Sequence, residues 1–199
     1  MALSQSTESA AAVPPLSLKT ARLEARVVAF LVDSVILLSF ILVFMAIAGV
    51  QLLLRSEFGE GDPPDSAFWT VLAITVAVVP FWAAFNVGLH LWRSQSVGHY
   101  VAGIKVARID GTAPSLGNAV VRLLVLNPLL FHPFLAVAWA LVAAIATSIT
   151  VNEVVLVVTV TMVLLSLLSP FVALAAAAFD KERRALHDRV AGTVVVPAG

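Results

Sequence analysis

The sequence predicts an all-α membrane protein: a four-transmembrane-helix bundle with an interfacial helix and a short cytoplasmic β-ribbon. Three observations carry this. Of 199 residues, 60% are apolar and 12% charged, against about 25% charged in soluble domains, and the mean hydropathy is +1.01. Four long runs are almost free of charge, and Lys and Arg gather on one side of them. In water so much apolar surface would have nowhere to go. Twelve Lys+Arg balance twelve Asp+Glu, so nothing points to nucleic acid as a partner. The absence of cysteine removes disulfides, thiolate catalysis and cysteine zinc sites together.

Residues 1–21 form a polar lead through Pro14-Pro15, expected to be disordered. The first apolar run starts late and is about twice the length of a signal-peptide core, so no cleavable signal is expected. That run, 27–54, is interrupted only by Asp33. An acidic loop over 55–66 leads to the second run, 68–92, which holds no Asp, Glu, Lys or Arg. Each run exceeds the roughly 20 residues that cross a hydrocarbon core as a helix.

The connector 93–126 is the most structured soluble stretch. Ile104, Val106 and Arg108 alternate against Lys105, Ala107 and Ile109, a strand period, and Asp110-Gly111 signals a turn. Ser115 can cap a helix over 115–126, carrying Leu116, Val120, Leu123 and Leu124 on one side and Arg122 elsewhere on its surface. Asn127-Pro128 ends it. The third span follows at 129–150, with His132-Pro133 one turn inside, and the fourth at 154–179. In the tail, 180–199, the β-branched run Thr193–Val196 should pair with the 104–109 strand.

Orientation follows from the bases. Lys19, Arg22 and Arg26 precede the first span; Arg93, Lys105, Arg108 and Arg122 lie in the connector; Lys181, Arg183, Arg184 and Arg189 follow the fourth span. Only Arg55 is on the other side, beside Glu57, Glu60, Asp62 and Asp65. Both termini are expected in the cytoplasm, the chain crossing the cell's inner membrane. The connector and tail bases could meet anionic headgroups.

Taken together, Arg26 with Asp33, then Ser96-Val97-Gly98-His99, Gly103-Ile104-Lys105-Val106, Asp110-Gly111, Arg122 and Ala185-Leu186-His187-Asp188-Arg189-Val190-Ala191-Gly192-Thr193 resemble the RDD family. These are small bacterial membrane proteins named for one arginine and two aspartates. The resemblance spans 22–196. It makes Arg26, Asp33 and Asp188 the family charges, and Gly98, Gly103, Asp110, Gly111, Arg122, His187 and Thr193 the connector and tail motif. Ser96 stands where the family usually has threonine, and His99 where it has lysine. Cation/proton antiport, attributed to some members, is the activity the resemblance implies.

An aspartate inside a span costs about 2.5–3.5 kcal/mol on insertion scales and usually faces the bundle interior. Arg26 is seven residues from Asp33, roughly 10 Å along a helix, so Asp33 needs another partner, expected at Asn86 or His90. Counted from the cytoplasmic ends, Asn86, His90, Asn127, His132 and Ser169, with Ser166, fall at similar depths and suggest one polar cluster. The tail should fold back so that Asp188 meets basic groups, Arg26 first among them. His90, His99, His132 and His187 lack metal-ligand spacing. No phosphate loop or serine triad is present, so no metal, cofactor or enzymatic activity is expected. Two readings remain. One is an exchanger of a monovalent cation or proton, working through Asp33 and expected to be a homo-oligomer, with no inverted repeat in evidence. The other is a non-catalytic membrane scaffold or accessory subunit whose charges fix packing and dock a partner.

Overall fold

The computed structural model describes residues 18–62, 64–149 and 153–199. The lead through residue 17 and the predicted end of the third span at 150 lie outside the described residues. The chain is mostly helical, with one two-stranded sheet.

Helix α1 (Leu23–Arg55) runs 33 residues, about 50 Å at 1.5 Å per residue. It therefore exceeds a hydrocarbon core of about 30 Å. Its buried residues include Ala29, Asp33 and Leu37, spaced as one inward stripe, while Val35 and Leu42 are exposed. Burying Asp33 and Ser34 while Val35 and Leu42 are left outside is the pattern of a helix solvated by lipid. A short turn (Glu57–Gly59) leads to α2 (Asp65–Arg93), which contains Pro80 and stops at Ser94 in the left-handed region. Helix α6 (Glu153–Phe179) contains Pro170. These three helices are long and apolar enough to cross a membrane. Helix α5 (Pro133–Ile149) carries no charge and is mostly apolar, with 17 described residues.

The third predicted span begins later than expected. Asn127 accepts the amides of Leu130 and Phe131 at 3.0 and 2.9 Å through its backbone carbonyl, so 127–132 is a turn and α5 starts on Pro133. Proline suits the first helical position because its missing N–H has no acceptor there. His132-Pro133 is thus the entrance of the helix, not one turn inside it.

Helix α1 packs on α2 and α5 on α6. Between them Trp82, Leu37, Val78, Leu129 and Leu135 form the main apolar core, with Leu123 reaching in from α4. Trp82 is fully buried, and its indole N–H donates to the Leu129 carbonyl.

At one end of the bundle lies a cap. Helix α3 (Val97–Val101) leads into β1 (Ile104–Arg108), and α7 (Leu186–Val190) leads into β2 (Thr193–Pro197). The strands pair antiparallel, with Ile104 opposite Pro197 and Val106 opposite Val195. A repeat unnoticed in the sequence emerges here. Val97 to Leu186, Ile104 to Thr193 and Val106 to Val195 are each 89 residues apart. Both modules read Val-Ala-Gly between helix and strand, and Gly103 and Gly192 share φ +64°. Each module follows a long helix with an internal proline, so the repeat runs in parallel along the chain, not inverted.

Helix α4 (Leu116–Leu124) is capped by Ser115, whose hydroxyl accepts the Asn118 N–H at 3.3 Å. Its orientation departs from the expected one at Leu123, which leaves the side of Leu116, Val120 and Leu124 and is buried with Arg122. Ala119, Arg122 and Leu123 are buried, while Leu116, Val120 and Leu124 are exposed. The arginine turns inward because carboxylate waits there. The lead is also shorter than predicted: Ala21 is buried on Ile104 and Val195, and its N–H donates to Val195 O at 2.8 Å. Leu18 covers Ala107, Val194 and Val196.

Candidate functional site

The cap is fastened to the bundle by two carboxylates. Asp33, on the inward stripe of α1, accepts the Ser96 hydroxyl at 2.6 Å and the Gly98 N–H at 2.7 Å. Both donors come from the first turn of α3, where helical amides lack partners of their own. Ser96 also accepts the His99 N–H at 3.1 Å, and His99 Nδ1 lies 2.8 Å from its hydroxyl. The contact is possible only because residue 98 is glycine. A Cβ there would stand 2.0 Å from Ala29 O and 2.8 Å from Asp33 Cγ. The expectation that Asp33 faces Asn86 or His90 is therefore corrected: the connector folds over α1 and supplies its partners.

Asp188 has no exposed surface. Its Oδ2 accepts Arg26 Nη1 at 3.0 Å and the Ala185 N–H at 3.2 Å, and its Oδ1 accepts Arg122 Nη1. Thr193, also fully buried, stands 3.4 Å from Arg122 Nη1. Two guanidiniums thus converge on one carboxylate at the third residue of α7. His187 Nε2 is 3.7 Å from Asp188 Oδ1. Burial foremost, then Arg122, holds His187 and His99 well below the ordinary histidine range. Both imidazoles are neutral near pH 7.

The remaining polar residues do not form one cluster. Asn86 donates to Trp82 O at 3.0 Å, and His90 Nδ1 lies 2.8 Å from Asn86 O, both within their own helix. With Arg122 and Asn127 they border a void of about 10 Å³. Asn127 closes its turn, donating to Arg122 O at 3.0 Å and accepting the Leu129 N–H at 2.9 Å. His132 lies apart, stacked on Phe30 at 5.1 Å. Its Nδ1 accepts the Phe134 N–H, leaving Nε2 to donate to Ser34 at 2.8 Å. Ser169 donates to Leu126 O at 2.7 Å, and Ser166 is fully buried. The physical reason for the dispersal is local: Asn86, His90, Asn127 and Ser169 each find a carbonyl one turn away or across one helix contact, and His132 finds the Ser34 hydroxyl. Asp110 and Gly111 are an exposed turn, where Asp110 accepts the Thr112 N–H at 3.0 Å. Gly103 turns the chain from α3 into β1.

Between α1 and α6 lies a cavity of about 330 Å³, lined by apolar side chains and by Arg26, Asp33, His99, Arg122, Asn127 and His187. Sequence reasoning missed that Ser96 is a donor to Asp33 and that Arg122 shares Asp188. The 89-residue repeat was the available signal, since it carries Asp33 onto Arg122.

A family model, RDD family, matches residues 20–192. No curated protein and no solved structure matches the chain. That match covers nearly all of the bundle and cap, including Arg26, Asp33 and Asp188 where they meet α3 and α7, and the chain belongs to the RDD family.

Proposed function

We propose that this RDD-family chain is a four-span protein of the inner membrane with both termini cytoplasmic, and that it is a non-catalytic scaffold or accessory subunit. Helix α5 is the third span in chain order and completes the four with α1, α2 and α6. The one-sided distribution of Lys and Arg sets the orientation, and the cap faces the cytoplasm. The domain runs over 22–196, from the approach to α1 through the second strand of the cap.

The observation that supports a scaffold is the saturation of both aspartates. Each is buried, each accepts donors from elements more than sixty residues away, and each joins the cap to the bundle. An exchanger needs a carboxylate free to trade one partner for another. Cation/proton exchange is kept as a second reading for one reason: Asp33 also borders the 330 Å³ cavity. In that reading the protein works as a homo-oligomer, because four spans leave little room for alternating access.

Reconstitution into proteoliposomes with a pH-sensitive dye and a sodium or potassium jump separates the two. A scaffold gives no proton flux above protein-free vesicles, and Asp33→Asn lowers its melting midpoint. Cation-dependent flux that disappears in a folded Asp33→Asn variant makes the protein an exchanger. Topology is checked on the cysteine-free chain with single reporters. Glu60→Cys should label from outside and Lys105→Cys only from inside; labelling of both from one side overturns the orientation.

A further inference from the structure

The cavity between α1 and α6 has two unlike parts. Val27, Leu31, Phe171 and Leu174 line it and are 39%, 57%, 70% and 44% exposed. These residues sit on the helices that face lipid, so the cavity opens sideways toward the bilayer. Arg26, Arg122 and His187 line the same space, together with His99, Asn127 and the Asp33 carboxylate that Ser96 and Gly98 already hold. Arg122 and His187 are 4% and 6% exposed.

The charges around it are incompletely matched. Arg26 and Arg122 share the single carboxylate of Asp188, while Asp33 is occupied by Ser96 and Gly98. Arg26 Nε and Nη2, Arg122 Nε and His187 Nδ1 are buried without a hydrogen-bond partner among the described residues. A buried cationic donor left without an acceptor is costly. Three of these atoms belong to guanidiniums and the fourth to the neutral His187 imidazole; with both arginines lining one cavity, they suit a compact anion with several oxygens.

The repeat shows that the opening is not a generic product of the fold. The 89-residue offset carries Phe30 and Asp33 of α1 onto Ala119 and Arg122 of α4. The related crevice, between α2 and α4, is the one closed to about 10 Å³ by Asn86, His90 and Leu123. Arg122 borders both related crevices; the one it shares with Asn86 and His90 is filled, and the one it shares with Arg26 is open.

The geometry points to a binding site for an anionic phospholipid of the cytoplasmic leaflet. Its phosphate lies at Arg26, Arg122 and His187, and one acyl chain leaves between α1 and α6. Apolar walls favour a lipid over a free anion, which would leave them uncovered. The volume equals the share of about eleven waters at ~30 Å³ each. It holds a phosphate and the first part of a chain, and the rest of the lipid stays in the bilayer. The site rests on the membrane reading above but not on the choice between scaffold and exchanger.

The test is native mass spectrometry of the full chain in detergent, offered equal phosphatidylglycerol and phosphatidylcholine. Retention of phosphatidylglycerol should be favoured by at least about fivefold, the worth of one basic group at a membrane surface. Ala173→Trp, which plugs the cavity away from the carboxylates, should abolish the preference with the melting midpoint unchanged. Val160→Trp, on α6 outside the cavity, should keep it. If Ala173→Trp does not fold, Leu174→Trp on the exposed rim is the second plug. Equal retention of the two lipids overturns the site. So does a preference that survives a folded plug, or inorganic phosphate raising the melting midpoint as much as phosphatidylglycerol does.

Discussion

Replacing Gly98 with alanine tests the closest approach in the molecule. The new Cβ would lie 2.0 Å from Ala29 O, 2.7 Å from Ala29 C and 2.8 Å from Asp33 Cγ. Two of these are backbone atoms of α1, which cannot swing aside as a side chain can. Helix α3 must therefore retreat by about 1 Å to restore a 3.0 Å contact. That movement stretches the Gly98 N–H bond to Asp33 from 2.7 Å past the usual limit. Loss of a hydrogen bond to a charged acceptor costs about 1.5–3 kcal/mol, and overpacking about 1–3 kcal/mol. Against this, alanine in a helix gains only about 0.4–1 kcal/mol from the unfolded chain. The net loss is about 3 kcal/mol, or a melting midpoint roughly 6–12 °C lower for a chain of this size. Fluorescence-detected size exclusion after heating reads it in detergent. The internal control is Gly49→Ala, a helical glycine in α1, where nothing lies within 4 Å; it should melt at or above wild type. A Gly98→Ala protein that melts with Gly49→Ala refutes the close approach of α3 to α1.

Other outcomes follow from the same contacts. Asp188→Asn leaves Arg26 and Arg122 facing each other without their shared anion, and should cost about 3–5 kcal/mol in the same melting assay. Arg26→Gln should cost less, because the Arg122–Asp188 pair persists; the reverse order would contradict the shared geometry. His99 and His187 are held well below 6.5 by burial first, so the unfolded chain binds protons that the folded chain refuses. Stability is therefore full above pH 6.5 and is lost as pH falls below it, by up to ~1.4 kcal/mol per unit for each histidine. Melting curves from pH 7.5 to 5.5 should show this decline, shallower in His187→Asn; a midpoint that rises on acidification contradicts neutral imidazoles. Ser96→Ala removes both a donor to Asp33 and the α3 cap. It should lower stability by about 2 kcal/mol, measured as for Gly98→Ala.

What the sequence determined by itself was set by solvent and by local chemistry. Apolar runs longer than any soluble helix needs made the chain a membrane protein, whatever its neighbours. Alternation around Val106 and the β-branched run at Val194 marked two strands whose edges needed each other, and they pair. The residues carrying the family resemblance lie within the matched range 20–192, except Thr193, the first residue of β2. The tertiary structure decided the partners. Nothing local to Asp33 says that Gly98 will approach α1 closely enough to bond it, because that contact joins residues 65 positions apart. Arg122 reads as a surface base on its own helix and becomes a buried counter-ion only when α7 brings Asp188 beneath it. The cavity depends on α1 and α6 standing apart while α2 and α4 close, a difference between two related crevices. Periodicity records which face of an element avoids water or lipid. It does not record which buried charge will meet which, since that energy arises only when distant elements exclude solvent from the same small space.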